Sequence, residues 1–378
     1  MIKKLLCLCL IIVMTLSLSG CWDYLSLNDI EIVAGVAIDK DQTNGEYNLS
    51  FEVLDLEDSS KDSGVKTKLI DSTGTTIFDA VRNAKKRLAK KLYFGAAQII
   101  VISEYIAKND GVNSVIDFFI RDTEIRETIK IVVSQEKSAK EILMSDYTDS
   151  KIISYQISTI IEKDENVTLS TVNTDLYQIY DTLNNQGISL TLAAFENTLQ
   201  DDKTITESNG SAIFKKDKLV GYLSAKETEY YLFVVDKVKG GIIDFGNIDD
   251  DIEKLSLEID SSKTKLSFSY VDNQIKMLIE PTVKVYLGEI FGETIKADNE
   301  RMEEVQDITS KILAERISDV IQKVQTEYQT DVFGFGNCIF KSDPKLWDKI
   351  SENWDSMFVD VKFEVKPKMI IQNTGLIK

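Results

Sequence analysis

The sequence predicts an α+β protein of more than one domain, with an α/β arrangement left open for its first 200 residues. Three observations predict it. Strand-like and helix-like stretches follow each other in mixed order between about 28 and 200. Five strand-like segments then succeed one another between 242 and 288 without a helical pattern among them. A long amphipathic stretch at 300–328 precedes a closing segment, "VDVKFEV" at 359–365, that alternates strictly with a period of two. The 378 residues suffice for two or three domains, and 43% apolar content is ordinary for a globular chain.

In chain order, "IEIVAGVAID" at 30–39 reads as a strand, 41–45 as a turn and 47–54 as a second strand, together a hairpin. The polar stretch 55–64 reads as a surface loop. From 76 to 92 the period is helical, with Ile77, Val81, Ala84, Leu88 and Leu92 on one face. Lys85, Lys86, Arg87, Lys90 and Lys91 form a basic patch on the other side. That patch is either a solvated helix face or a contact for anionic headgroups or an acidic partner. A buried strand at 98–102 follows, then helical pieces to about 122 with Val112, Val115, Ile116 and Phe119 as their apolar face, a strand at 127–134 and a short helix at 137–145.

The polar, acidic stretch 197–209 places a domain boundary near 200. "GSAIFKKDKLVGYL" at 210–223 reads as a hairpin around the charged turn 215–218. A short helix at 227–237 ends at Gly240 and Gly241. Strands are expected near 242–246, 255–259, 265–270, 275–279 and 282–288, with Asp249, Asp250 and Asp251 in a solvated turn. The 300–328 helix carries an apolar stripe of Met302, Val305, Ile308, Ile312, Ile317, Val320, Ile321 and Val324. Pro367 suits a strand end or sheet edge. The expected domains are 30–200, 201–260 and 261–378.

At the amino terminus, Lys3 and Lys4 precede an apolar run from 5 to 18, shorter than the about 20 residues that span a bilayer. This is the pattern of a cleaved secretory leader, 1–20. "LSGC" at 18–21 has the form of a lipoprotein cleavage signal, which makes Cys21 the expected acylated residue and 21–29 a tether. The alternative is soluble secretion with Cys21 free or disulfide-bonded. Removing the leader takes the formal charge from -18 to -20, which disfavours nucleic acid as a partner. No later stretch reads as a second membrane anchor.

The chain has no histidine, which removes serine–histidine and cysteine–histidine catalysis and the usual zinc sites. Carboxylate chemistry needs a pair, but Glu289 and Glu293 read as a solvated turn. Asp249–Asp251 lacks calcium-loop spacing, Gly334-Phe335-Gly336 is too short for a dinucleotide loop, and no Walker-type lysine occurs. Neither catalysis, a metal nor a cofactor is expected. Cys338 reads as a small core residue. In "DFFIRDTEIR" at 117–126, Arg121 and Arg126 sit among Asp117, Asp122 and Glu124, as a brace between a helix end and the next strand or as a pocket wall. In "PKLWDKISENW" at 344–354, Trp347, Ile350 and Trp354 share a face, as core anchors or as a partner contact.

Together these motifs resemble the Ger(x)C family, the lipoprotein C subunits of spore germinant receptors. The resemblance runs from "CWD" at 21–23, "LND" at 27–29 and "GVAIDK" through "FFIRDTEIR" at 118–126. It is strongest in "GSAIFKKDKLVGYLSAKET" at 210–228 and closes with "DVFGFG" at 331–336 and the segment holding Trp347 and Trp354. The family often has a glutamate shortly after "CWD", where this chain has Ser26. The resemblance implies three α+β domains with mixed sheets, a non-catalytic role, two integral-membrane partner subunits, and a place on the outer face of the spore's inner membrane. It carries over Cys21 as the lipidated residue. It also carries over the 121–126 stretch, with Arg121, Asp122, Glu124 and Arg126, and the 210–223 stretch, with Lys216, Asp217, Lys218 and Gly221, as structural or contact elements. Whether the subunit itself binds the small molecule stays open. The alternative is a solute-binding lipoprotein, favoured by a deep interdomain pocket with converging polar groups. An anchored hydrolase would need a cleft with perturbed carboxylates.

Overall fold

A computed structural model describes residues 2, 4, 29–60, 64–146, 151–246, 248, 251–292 and 299–373. The cleavage signal with Cys21 and the tether up to 28 lie outside the described residues, as do Asp249, Asp250 and Glu293. The fold is α+β, built on two mixed sheets.

The first sheet has nine strands: β1 (Ile30–Lys40), β2 (Tyr47–Ser60), β3 (Gly64–Gly74), β4 (Lys91–Tyr93), β5 (Ile99–Ser103), β6 (Lys130–Ser134), β7 (Thr191–Gln200), β8 (Lys203–Lys215) and β9 (Lys218–Leu223). Its order is β3-β2-β1-β5-β6-β7-β8-β9, with β4 beside β1. The centre, β1-β5-β6-β7, is parallel, and antiparallel hairpins extend both flanks. β5 "IIVIS" and β6 "KIVVS" are buried at every residue, as strands covered on both faces must be. The covering helices are α1 (Ile77–Asn83), α2 (Glu104–Asn109), α3 (Asn113–Arg121), α4 (Ala139–Leu143), α5 (Ile153–Asp164) and α6 (Leu176–Asn184). Ile100 and Ile102 join α1, α2, α3 and α6 in one core, while Ile99 and Val101 join α4 and α5 in the other. This is the period of two read through a central strand.

Three expectations change here. The expected 55–64 loop is shortened: β2 runs on to Ser60 and β3 starts at Gly64, with Asp55 opposite Lys66 and Ser60 opposite Gly64, because backbone pairing needs no apolar side chains, while 61–63 lie outside the described residues. The 76–92 helix stops at Asn83, followed by one 3-10 turn at Ala84–Lys86. Continuing it would set Lys86 over Lys90 and Arg87 over Lys91, like charges four apart, whereas Leu92 is buried in β4 against β1. The boundary at 200 falls inside a hairpin, since β7 and β8 pair across the turn Asp201–Asp202 and the first sheet runs on to Leu223.

α7 (Ala225–Val234) opens with a Ser224/Glu227 capping box and lies between the sheets. It is buried continuously from Thr228 to Val234, which fits its run of apolar and aromatic residues without a polar stripe. The second sheet comprises β10 (Ile242–Gly246), β11 (Ile252–Val271), β12 (Gln274–Gly292), β13 (Lys362–Val365) and β14 (Lys368–Asn373). The expected segments 255–259 and 265–270 are one strand, and 275–279 and 282–288 another. A two-residue turn, Asp272–Asn273, joins them with both residues left-handed. A register shift between Ile259 and Ser261 lies in the interval between the first two expected segments. The expected 201–260 domain therefore has no sheet of its own, and residue 260 lies within β11.

α8 (Asn299–Lys323), continued by a π-turn to Tyr328, buries Val305, Leu313, Ile317, Val320, Ile321 and Val324. α9 (Phe335–Ser342), α10 (Pro344–Ile350) and α11 (Trp354–Phe358) complete this core. β13 and β14 pair in succession with β12 on either side of Pro367. The alternation read in the closing strand is blurred, because β13 is an edge strand and Phe363, Glu364 and Val365 are all half-buried. Among the described residues no helix is long and apolar enough to cross a membrane.

Candidate functional site

The charged motifs of the N-terminal unit converge on a groove between α1 and α3. Phe78, Val81, Arg82, Lys85, Lys91, Phe118, Arg121, Asp122 and Glu124 line a hollow of about 320 Å³ there. Phe78 is 53% exposed, its ring 6.0 Å from Phe118, and the Arg82 guanidinium lies 4.9 Å over it. Arg121 spends its charge on Asp117, one helical turn back, at 2.9 Å. The brace from helix end to sheet uses other groups: Asp122 accepts the Glu124 N–H at 2.9 Å, and Glu124 pairs with Lys91 of β4. Arg126 is exposed, and its carbonyl accepts the Ile129 N–H.

At the β8–β9 turn, Lys216 is left-handed with φ 57°, and the Asp217 carbonyl accepts the Val112 N–H at 2.8 Å. Lys218 is exposed at the start of β9. Gly221 lies under the Tyr328 ring, where a Cβ would come within 2.3 Å of it, and Tyr328 donates its hydroxyl to the Tyr222 carbonyl at 2.6 Å. Gly221 thus lets the end of the long helix sit on the first sheet.

The third constellation joins the two units. Asp331, 2% exposed, accepts N–H groups from Phe333, Gly334 and Phe335 on Oδ1, and from Gly336 on Oδ2. Trp354 donates its indole N–H to Oδ2 at 3.1 Å. Complete burial pushes the carboxyl up to about 6, against the pull of these donors. Trp347 packs on Trp354 with rings 5.5 Å apart and donates to Gln186 at 2.6 Å. Gly187 accepts the Asn337 N–H, and Ser189 donates to the Asp331 carbonyl, so the segment before β7 is threaded into this knot. A cleft of about 360 Å³ beside it is lined by Lys216, Asp217, Asp331, Trp354 and Asp355, bringing two motifs together that stand far apart in sequence. Cys338 is half-buried nearby, and burial pushes its thiol up.

The pattern described as "Spore germination protein N-terminal domain" matches residues 23–196, and that described as "Spore germination B3/ GerAC like, C-terminal" matches 209–375. The chain belongs to the Ger(x)C family. This is a family of germinant-receptor C subunits involved in spore germination. Full-length relatives from Bacillus subtilis (strain 168) include spore germination protein KC, 24% identical over 100% of this chain and 97% of that protein. Spore germination protein B3 is 25% identical over 96% of each, and spore germination protein A3 is 25% identical over 98% of each. The crystal structure of the GerBC protein shares the fold, with a TM-score of 0.57 and 22% identity over 90% of this chain and 97% of that one.

In this Ger(x)C chain, the residues that single-site reading missed are Asp331, Gln186 and Gly187. A signal existed for the first: an aspartate two to five residues ahead of "FGFG" can gather their N–H groups. Nothing local marks Gln186 or Gly187, which acquire a role only when the two units meet. The two indoles are not equivalent. Trp354→Phe removes a donor from a buried carboxylate, at about 1.5–3 kcal/mol for a charge-assisted bond. Trp347→Phe removes a bond to the exposed Gln186 and is expected to cost less. Denaturant unfolding of both variants checks the order.

Proposed function

We propose that the chain is a non-catalytic lipoprotein subunit of a germinant receptor, acylated at Cys21. In this reading it is held on the outer face of the spore's inner membrane and docks onto two integral-membrane subunits. The observation that carries the reading is the match of both family patterns, in order, over 23–196 and 209–375. The physical support is that no helix of the described residues can span a bilayer, so retention at the membrane would rest on an anchor and on partners. The test is affinity purification of the tagged chain from detergent-solubilised spore membranes. Two integral-membrane germination proteins are expected to co-purify, and Cys21→Ala is expected to shift the chain out of the membrane fraction. A chain recovered alone would overturn the docking reading, and membrane recovery of Cys21→Ala equal to the parent would overturn the anchor.

A second reading, capture of a small ligand, is supported by a hollow of about 380 Å³ between the units. Asn173, Thr174, Thr191, Tyr231, Lys237 and Asn337 are among its lining residues. Among the described residues, Asn173 Oδ1 is buried there without a hydrogen-bond partner. Calorimetric titration of the purified chain with candidate nutrients separates this reading from docking alone.

A further inference from the structure

Between Ala80 and Ser103 the chain carries six cations and no carboxylate, although the whole protein has 62 acidic residues against 44 basic ones. The six are Arg82, Lys85, Lys86, Arg87, Lys90 and Lys91. The fold places this segment where the amino-terminal tether reaches the body. Ile30, the first residue of β1, pairs with Lys91 of β4. The next residue, Glu31, lies 4.0 Å from Lys90 and 3.6 Å from Lys68. Lys91 in turn shares the α1–α3 groove with Arg82, Lys85 and Arg121.

Carboxylates that face this region are largely committed. Glu31 is engaged by Lys68 and Lys90, Glu124 by Lys91, and Asp117 by Arg121. Lys85 and Lys86 stand exposed on the 3-10 turn, Arg82 is exposed beside the half-bare Phe78, and Arg87 donates to the Asp71 carbonyl within electrostatic reach of that residue's carboxylate, which Lys140 pairs. The result is a cationic face, with an aromatic ring in it, on a body that is otherwise strongly acidic.

We propose that this face, Arg82, Lys85, Lys86 and Arg87 with Phe78 beside them, rests on the headgroups of an anionic phospholipid surface. The inference builds on the reading of Cys21 as an acylated anchor, and adds which side of the protein meets the membrane. From residue 21 to residue 29 the tether reaches at most about 30 Å when fully extended. The start of β1 therefore stays close to the bilayer, and a slack tether brings the neighbouring patch within a Debye length, about 8 Å. An anionic surface repels the body in most orientations and attracts it in this one. Acyl chain and polybasic patch then act as two signals on the same side. Each headgroup-facing lysine or arginine strengthens adsorption roughly fivefold.

The test uses the full mature chain carrying Cys21→Ala, so that no acyl chain contributes. Its co-sedimentation is measured with phosphatidylcholine vesicles and with vesicles containing phosphatidylglycerol, at low and high salt. Binding is expected only to the anionic vesicles, is weakened by salt, and falls at least about tenfold in the Lys85→Glu/Lys86→Glu variant. Both side chains are exposed, so that variant should keep the parent's thermal unfolding. Three results overturn the proposal: no binding to either vesicle, equal binding to both, or undiminished binding of the double variant. If vesicles are ignored but the double variant no longer co-purifies with membrane proteins, the face meets an acidic protein and the lipid proposal falls. None of these outcomes bears on Cys21, whose acylation is read independently from the mass of the mature amino terminus.

Discussion

Asp331→Ala is expected to leave the protein unfolded or barely folded at room temperature. The carboxylate accepts four backbone N–H groups and one indole N–H in a site closed to water. Alanine provides no acceptor for any of them. A buried donor without a partner costs about 1–3 kcal/mol, so five together exceed about 5 kcal/mol, which is comparable to the whole stability of a typical domain. Asp331→Asn separates the acceptor from the charge. Its single oxygen can still serve the three donors on Oδ1, so its deficit should lie well short of alanine's.

The charge has its own signature. Asp331 is raised from the ordinary 3.8 to about 6 in the folded protein, so the unfolded chain gives up that proton first as pH rises. Stability from this group is complete below about 4 and declines through about 6, by about 3 kcal/mol for a displacement of two pH units. Asp331→Asn lacks this decline. The gap in stability between parent and Asp331→Asn should therefore narrow from pH 4 to pH 7 in denaturant titrations. A gap that stayed constant or widened would show that the N–H donors outweigh burial in setting the ionisation of Asp331.

Gly336→Ala should strongly damage the molecule's central joint. A Cβ there would come within 2.6 Å of the Gly187 Cα, 2.7 Å of the Trp354 Nε1 and 2.8 Å of the Trp347 ring. None of these neighbours is the loose end of a flexible chain. Gly187 is backbone of the other unit, and the two indoles, 2% and 4% exposed, are packed against each other. Relief would have to come from separating the 184–190 segment from α9 or from tilting the tryptophans. The expected cost is about 3 kcal/mol, the upper end for overpacking a core. A red shift of tryptophan emission at temperatures where the parent is still folded would report the loosened joint. An unshifted spectrum with unchanged stability would mean that the 187–336 contact is not tight in solution.

Much of the fold was legible because local pattern and tertiary environment agree. β5 reads as a buried strand and β6 as a strand, and both lie in the parallel centre of the first sheet. The 210–223 hairpin reads from two apolar flanks around a charged turn, and its turn residue Lys216 takes the left-handed conformation such a turn needs. Of the stripe read on the long helix, Val305, Ile317, Val320, Ile321 and Val324 are buried, Ile308 and Ile312 pack half-buried against the core, and Leu313 joins them from outside the stripe. Failures came where pairing with a distant segment overrode local character. The polar stretches 55–60 and 197–209 lack apolar cues, yet their backbones find partners. Leu88 and Leu92 keep helical spacing, yet β1 draws 91–93 into the sheet.

The sequence by itself determined the family, the mixed α and β character, the acidity of the body, the histidine-free chemistry and the basic run at 82–91. These depend on residue identity and on spacings within one or two turns, which need no knowledge of distant neighbours. Only the tertiary structure decided that the 82–91 run lies beside the start of β1, that Arg121 spends its charge on its own helix, and that Asp331 ties the two units together. Those are meetings between segments tens to hundreds of residues apart. They are settled by which surfaces bury each other and which N–H groups are left needing an acceptor, and neither is written in any single stretch of the chain.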